Sequence, residues 1–193
     1  MSTNRKKQPG LKLLALFSAV LAGCTTPEVN QDAPALQAQD ITQQFMATLQ
    51  PTLQAALASG GPVNAIEVCS TEAPAIADEL SAETSWSISR VSLKPRNSRR
   101  GVPDDWERGM LESLDERQQA GETAATLNDF EVIGGEFRYM QAQITMPLCL
   151  TCHGSDLAEE VASALHDYYP DDLAIGYEQG DVRGGISLRF ALE

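Results

Sequence analysis

Residues 149–153 read CLTCH, two cysteines three positions apart with a histidine directly after the second. Cysteines at that spacing share one face of a helical turn, where both can bond the two vinyl groups of one porphyrin. The histidine that follows is then directed at the iron. Cys149, Cys152 and His153 are therefore the candidate attachment site of one covalent haem c. Two rival chemistries use the same residue types. Together with Cys69 the set would be Cys₃His, a zinc pattern, but adjacent Cys152 and His153 fit one tetrahedron badly. A thioredoxin-like CxxC belongs after an early strand in a β-α-β setting, and this pair sits late in the chain.

Two thioethers and one imidazole leave the sixth iron position to be filled. No methionine follows the motif in residues 154–193, so the ligand of an ordinary cytochrome c is missing. His166 is the other histidine, 13 residues beyond His153 on the helix expected to follow the motif. Such a histidine is more often a surface residue. Met46, Met110, Met140 and Met146 lie upstream, where methionine usually fills cores. Cys69 is the cysteine left over, and its soft sulfur suits haem iron. On these grounds alone it is either a ligand or an inert buried thiol.

The elements that must position these residues are legible in outline. Asp40 with Gln43 resembles a capping box, and Ile41, Phe45, Leu49, Leu53 and Leu57 follow at helical spacing, with a kink expected near Pro51. Ser59-Gly60-Gly61 ends that helix, and Pro62 suits the first turn of a second. A break near Ser70, with Thr71 capping a third helix, would leave Cys69 at a helix end beside a corner. Residues 84–93 read as a strand, 104–119 as an acidic-started helix, and 130–145 as a strand pair turning at Gly134-Gly135. A helix over 155–168 and a final strand carrying Ile186, Leu188 and Phe190 close the chain. Helices first and three to five strands later, without regular alternation, predict an α+β fold with an antiparallel sheet.

The N-terminus is of another kind. Arg5, Lys6, Lys7 and Lys12 precede the apolar run LLALFSAVLA (13–22), which is too short to span a bilayer and has the shape of a secretory signal. Leu21-Ala22-Gly23-Cys24 looks like a lipobox, with Cys24 as the lipidated first residue of the mature chain. Residues 1–23 are then a lipoprotein signal peptide, 24–39 a flexible tether rich in Pro, Ala and Gln, and 40–193 the folded domain. Thr25 after the cysteine suggests the periplasmic face of the outer membrane. Loss of four positive charges from a net −13 leaves −17, a poor partner for nucleic acid. Five basic residues (Arg90, Lys94, Arg96, Arg99, Arg100) nevertheless crowd into eleven positions. Arg90 and Arg96 are candidates to hold haem propionates, because guanidinium binds carboxylate bidentately. Arg99 and Arg100 read as a solvated loop face.

Five separated motifs occur in one order: AIEVCSTEAPAIA (65–77), RVSLKPRNSRRGVPDDWE (90–107), FRYM (137–140), CLTCHG (149–154) and YPDDLAIGYEQGDVRGGIS (169–187). Together they resemble the single-haem family with a PAS-like fold known from cyanobacteria and proteobacteria, often the sensory part of histidine kinases. The resemblance implies a PAS-like sheet flanked by helices and iron held by His153 and Cys69. Two protein ligands leave no open iron site for turnover, and thiolate lowers the potential. With the lipobox, the expectation is a membrane-anchored low-potential carrier or redox or gas sensor that passes electrons or a signal to a partner, rather than an enzyme. A five-coordinate gas-binding or enzymatic haem with Cys69 merely buried is the alternative.

Overall fold

Gly60 and Gly61 set the course of the first half of the chain. The computed structural model describes residues 31–192, so the signal sequence, the lipobox and Cys24 lie outside the described residues. Helix α1 runs Asp32–Thr84 and loses helical geometry only at this pair, where Gly61 adopts φ 70°. A straight helix would separate Ala35 from Leu80 by about 65 Å, at roughly 1.5 Å per residue. Both nevertheless belong to one core cluster, with Phe45, Leu49, Ala73 and Ile76. The chain therefore doubles back at the glycines, and the positive φ at Gly61 is a conformation that favours glycine.

Three expectations for this region are corrected. The helix begins at Asp32, inside the stretch read as tether, and Ala35 and Ala38 are buried. Asp40 is mid-helix, and the backbone keeps helical φ/ψ through Pro51. The second arm also continues unbroken through Ser70 and Pro74, so Cys69 is mid-helix and beside no corner. The hydroxyls expected to cap a new helix turn inward instead. Ser70 Oγ donates to the Glu67 carbonyl at 2.7 Å and Thr71 Oγ1 to that of Val68 at 3.1 Å. Hydroxyls bonded back to carbonyls of their own helix are satisfied there and are not available to cap a new one.

The remaining elements follow the sequence closely. Strand β1 is Ser87–Val91, helix α2 Asp105–Gln119, strand β2 Asn128–Ile133 and strand β3 Glu136–Ile144. Short helix α3 (Leu150–His153), helix α4 (Glu159–Tyr168) and strand β4 (Val182–Ala191) complete them. The sheet is antiparallel throughout, in the order β1-β4-β3-β2. Gly134 and Gly135 (φ 63° and 82°) make the two-residue turn that joins β2 to β3. The α+β, helix-first expectation holds, with four strands and with α2 inserted after β1.

Both sheet faces are covered, so β3 is buried along most of its length. Phe137 and Tyr139 point to the α1 core, while Met140 and Ala142 pack with Leu111 and Leu114 of α2. Gly185 of β4 gives Met140 its space, since a Cβ there would lie 2.7 Å from the methionine Cγ and Sδ. A third cluster joins Ile66 of α1 to Val161, Ala164 and Leu165 of α4, with Cys152 and Tyr169 at its edge. No described helix is long and apolar enough to cross a membrane.

Candidate functional site

The two arms of α1, the ends of β1, β3 and β4, and the 146–153 segment enclose a cavity of about 610 Å³. That volume is in the range of pockets that hold a cofactor-sized ligand, roughly 300–1,000 Å³. Cys69, Cys149, Cys152 and His153 all line it. Cys69 reaches it from the second arm of α1, one helical turn after buried Ile66. Cys149 closes a 3-10 turn (Pro147–Cys149) that runs directly into α3, so Cys149 and Cys152 are one turn apart on adjoining helical pieces. Gly154 ends α3, and a Cβ there would lie 2.7 Å from the Leu150 carbonyl oxygen.

His153 is held as a neutral imidazole of defined tautomer. Its Nδ1 lies 2.7 Å from the Ala174 carbonyl. A carbonyl only accepts, so Nδ1 carries the proton and Nε2 keeps its lone pair. Burial, reinforced by Arg183, Arg96 and Arg90, pushes the imidazole pKa down to about 2. The backbone around it is clasped as well. Tyr177 N donates to the His153 carbonyl at 2.9 Å and Gly176 N to that of Gly154 at 3.1 Å. The Tyr177 ring stands edge-on to the imidazole at 6.2 Å.

Arg96, expected to reach a propionate, is committed to this clasp. Its Nη2 donates to the carbonyls of Cys152 and of Ala174 (3.1 Å) and pairs with Asp172 Oδ2 at 3.1 Å. Asp172 Oδ1 in turn accepts from Ala174 N at 2.8 Å. Arg90 does face the cavity, with Nε donating to Gln143 Oε1 at 3.3 Å. The Gln143 amide reaches Met46 Sδ at 3.6 Å. Arg183 also lines the cavity and was not singled out from the sequence. Its Nη1 lies 3.4 Å from His153 Nε2. Burial outweighs the pull of Arg90, Arg96 and Arg183 and leaves the Cys69 thiol above its ordinary pKa, so it is a bound metal that would draw off the proton.

Of the other candidate ligands, His166, Met110 and Met140 lie away from the cavity. His166 is exposed on α4. Met140 is fully buried in the α2-side core, and Met110 packs beside it. Met46 and Met146 do line the cavity. Arg99 is exposed, and Arg100 forms a solvent-facing pair with Asp78, as expected of a loop face. Among the described residues no three His, Cys, Asp or Glu side chains converge as a metal cluster, so the Cys₃His zinc pattern is not assembled. The all-antiparallel sheet likewise offers no β-α-β setting for a thioredoxin-like pair.

The donor set fits a covalently attached haem. Two cysteines on one helical turn, a neutral imidazole whose Nε2 keeps its lone pair, and a further sulfur share one cavity with apolar helix walls. The Tll0287-like family matches residues 25–191 of the sequence. The chain belongs to that family. The crystal structure of the cyanobacterial haem protein Tll0287 superposes with a TM-score of 0.58 at 20% identity, over 86% of this chain and 97% of that one. At this identity the superposition establishes the Tll0287 fold for this member of the family. No curated protein is matched by the sequence.

Proposed function

We propose that the chain is a haem-binding protein of the Tll0287-like family that carries one haem c through Cys149 and Cys152, with His153 and Cys69 as iron ligands. One observation supports this above the rest: Cys69, 80 residues before the attachment motif in sequence, lines the same cavity as Cys149, Cys152 and His153. Bound there, haem supplies one-electron chemistry, and thiolate ligation favours a lower potential than methionine does. The chain's own groups do the rest. The Ala174 carbonyl holds the proton on Nδ1 and so keeps Nε2 free for metal. Arg90, Arg96 and Arg183 offset part of the burial that raises the Cys69 thiol, and the α1 arms supply apolar walls.

Two protein ligands leave no open position for turnover, which favours low-potential electron transfer or redox or gas sensing over enzymatic activity. The PAS-like reading is compatible with the strand order β1-β4-β3-β2. The signal and lipobox residues support anchoring through Cys24 at the periplasmic face of the outer membrane, with a redox or signalling protein as partner. A second reading, five-coordinate haem with Cys69 as a bystander thiol, has one observation in its favour: burial holds the free thiol protonated. Cys69→Ala decides between the two. The variant keeps its covalent haem, turns from low to high spin, binds carbon monoxide readily and moves to a higher potential, whereas His166→Ala changes none of these. A Cys69→Ala spectrum identical to wild type would overturn the ligand assignment.

A further inference from the structure

The cavity contains two guanidiniums that no carboxylate compensates. Arg96 is paired with Asp172 and Arg100 with Asp78. Among the described residues, neither Arg90 nor Arg183 lies within ion-pairing distance of a carboxylate. Arg90 donates to the Gln143 amide and stands 6.0 Å from the Phe45 ring centre. Arg183 reaches His153 Nε2 through Nη1, and its Nε is buried without a hydrogen-bond partner. The groups acting on the pair are Cys69, Cys149, His153, Tyr169, Tyr177 and Arg96, the last already paired with Asp172. None of them supplies a standing negative charge at neutral pH. Burial and then mutual repulsion lower the Arg90 pKa to about 10, and burial lowers that of Arg183. Buried like charges are unfavourable unless paired.

We propose that Arg90 and Arg183 form a cradle for a dicarboxylate, the two haem propionates, and that Arg183 couples propionate binding to iron ligation. The assignment rests on the haem reading above. Two guanidiniums against two carboxylates leave the cavity neutral, and the fork of each matches a carboxylate. The coupling follows from the Arg183–Nε2 contact. Nε2 cannot hold both Arg183 and iron, so Arg183 must release it when metal binds, and a propionate offers the acceptor that the imidazole withdraws. Arg183 stands on β4 at the irregularity where Gln143 pairs with Gly184 and Ile144 with Val182, and a bulge of this kind re-aims a side chain.

The full-length Cys149→Ala/Cys152→Ala chain, titrated with haem and with haem dimethyl ester, isolates the carboxylate contribution. Haem should bind at least tenfold more tightly than the ester. Arg183→Gln and Arg90→Gln should each cut that preference several-fold, Arg183→Lys should retain part of it, and Arg99→Gln, exposed and outside the cavity lining, should leave it intact. In covalent holoprotein, the resonance Raman propionate bending band should shift in Arg183→Gln. Covalent haem in the wild type with an unchanged ester preference and an unmoved band in Arg183→Gln would overturn the cradle alone. Failure of the wild type to attach haem covalently when produced with a c-type maturation system would overturn the haem reading and the cradle with it.

Discussion

At the scale of single residues, the site depends on one carbonyl. Ala174 O accepts from His153 Nδ1 and from Arg96 Nη2, and Arg96 also ties down the Cys152 carbonyl. Arg96 therefore positions the attachment motif through backbone atoms. Its ion pair with Asp172 is largely buried, with side chains 15% and 9% exposed. Removing one partner of such a pair strands the other, at a cost of about 3 kcal/mol. Arg96→Ala should lower unfolding stability by that order, and a second change, Asp172→Asn, should recover part of it in a double-mutant cycle. The low-spin haem signals should broaden as the imidazole loses its fixed orientation, which a purely structural role elsewhere would not cause.

At the scale of elements, α2 is the best specified by its own residues. Asp104 Oδ1 accepts from Glu107 N and Glu107 Oε2 from Asp104 N, both at 2.9 Å, a complete capping box. Arg138 from β3 donates to the other Asp104 oxygen at 2.6 Å, linking helix to sheet. Burial alone would raise the Asp104 carboxyl, but the Glu107 amide and Arg138 outweigh it and hold the group below its ordinary 3.8. A carboxyl lowered on folding adds stability that is complete above its unfolded pKa and is lost as pH falls through the folded value. Asp104→Ala should cost about 1 kcal/mol at pH 7. The gap between variant and wild type in denaturant midpoint should narrow below pH 3.8, where wild type loses the same interaction. Helix α1 is the opposite case. Ser70, Thr71 and Pro74 look like a boundary, yet both hydroxyls bond carbonyls of their own helix and the helix continues through all three residues.

At the scale of the molecule, the cavity divides the interior. On one face of the sheet the α1 arms both build the core and wall the site, while on the other Leu111, Leu114 and Leu127 pack independently of it. The fold therefore has a half that depends on cavity contents and a half that does not. The Cys149→Ala/Cys152→Ala chain without haem should unfold at lower denaturant than holoprotein. Hydrogen exchange should rise at residues 62–77 and 145–177, while α2 and the first half of β3 (136–140) stay protected. Uniform loss of protection would contradict that division.

What the sequence determined by itself was chemistry that is local in the chain. CLTCH needs only one helical turn to present two thiols and an imidazole, Asp104-x-x-Glu107 needs only a helix start, and Gly134-Gly135 needs only a turn. Those features depend on neighbours a few positions away, so the one-dimensional pattern carries them. The sheet's antiparallel, helix-first class was legible for the same reason, through strand and helix periodicity. Tertiary structure decided which distant residues share the cavity. It brought Cys69 in from mid-helix, engaged Arg96 with Asp172 and Ala174, and added Arg183, whose strand neighbours mark only a packed β4. The physical reason is that a cationic side chain's role depends on whether a carboxylate lies nearby, and that is a property of packing across the sheet.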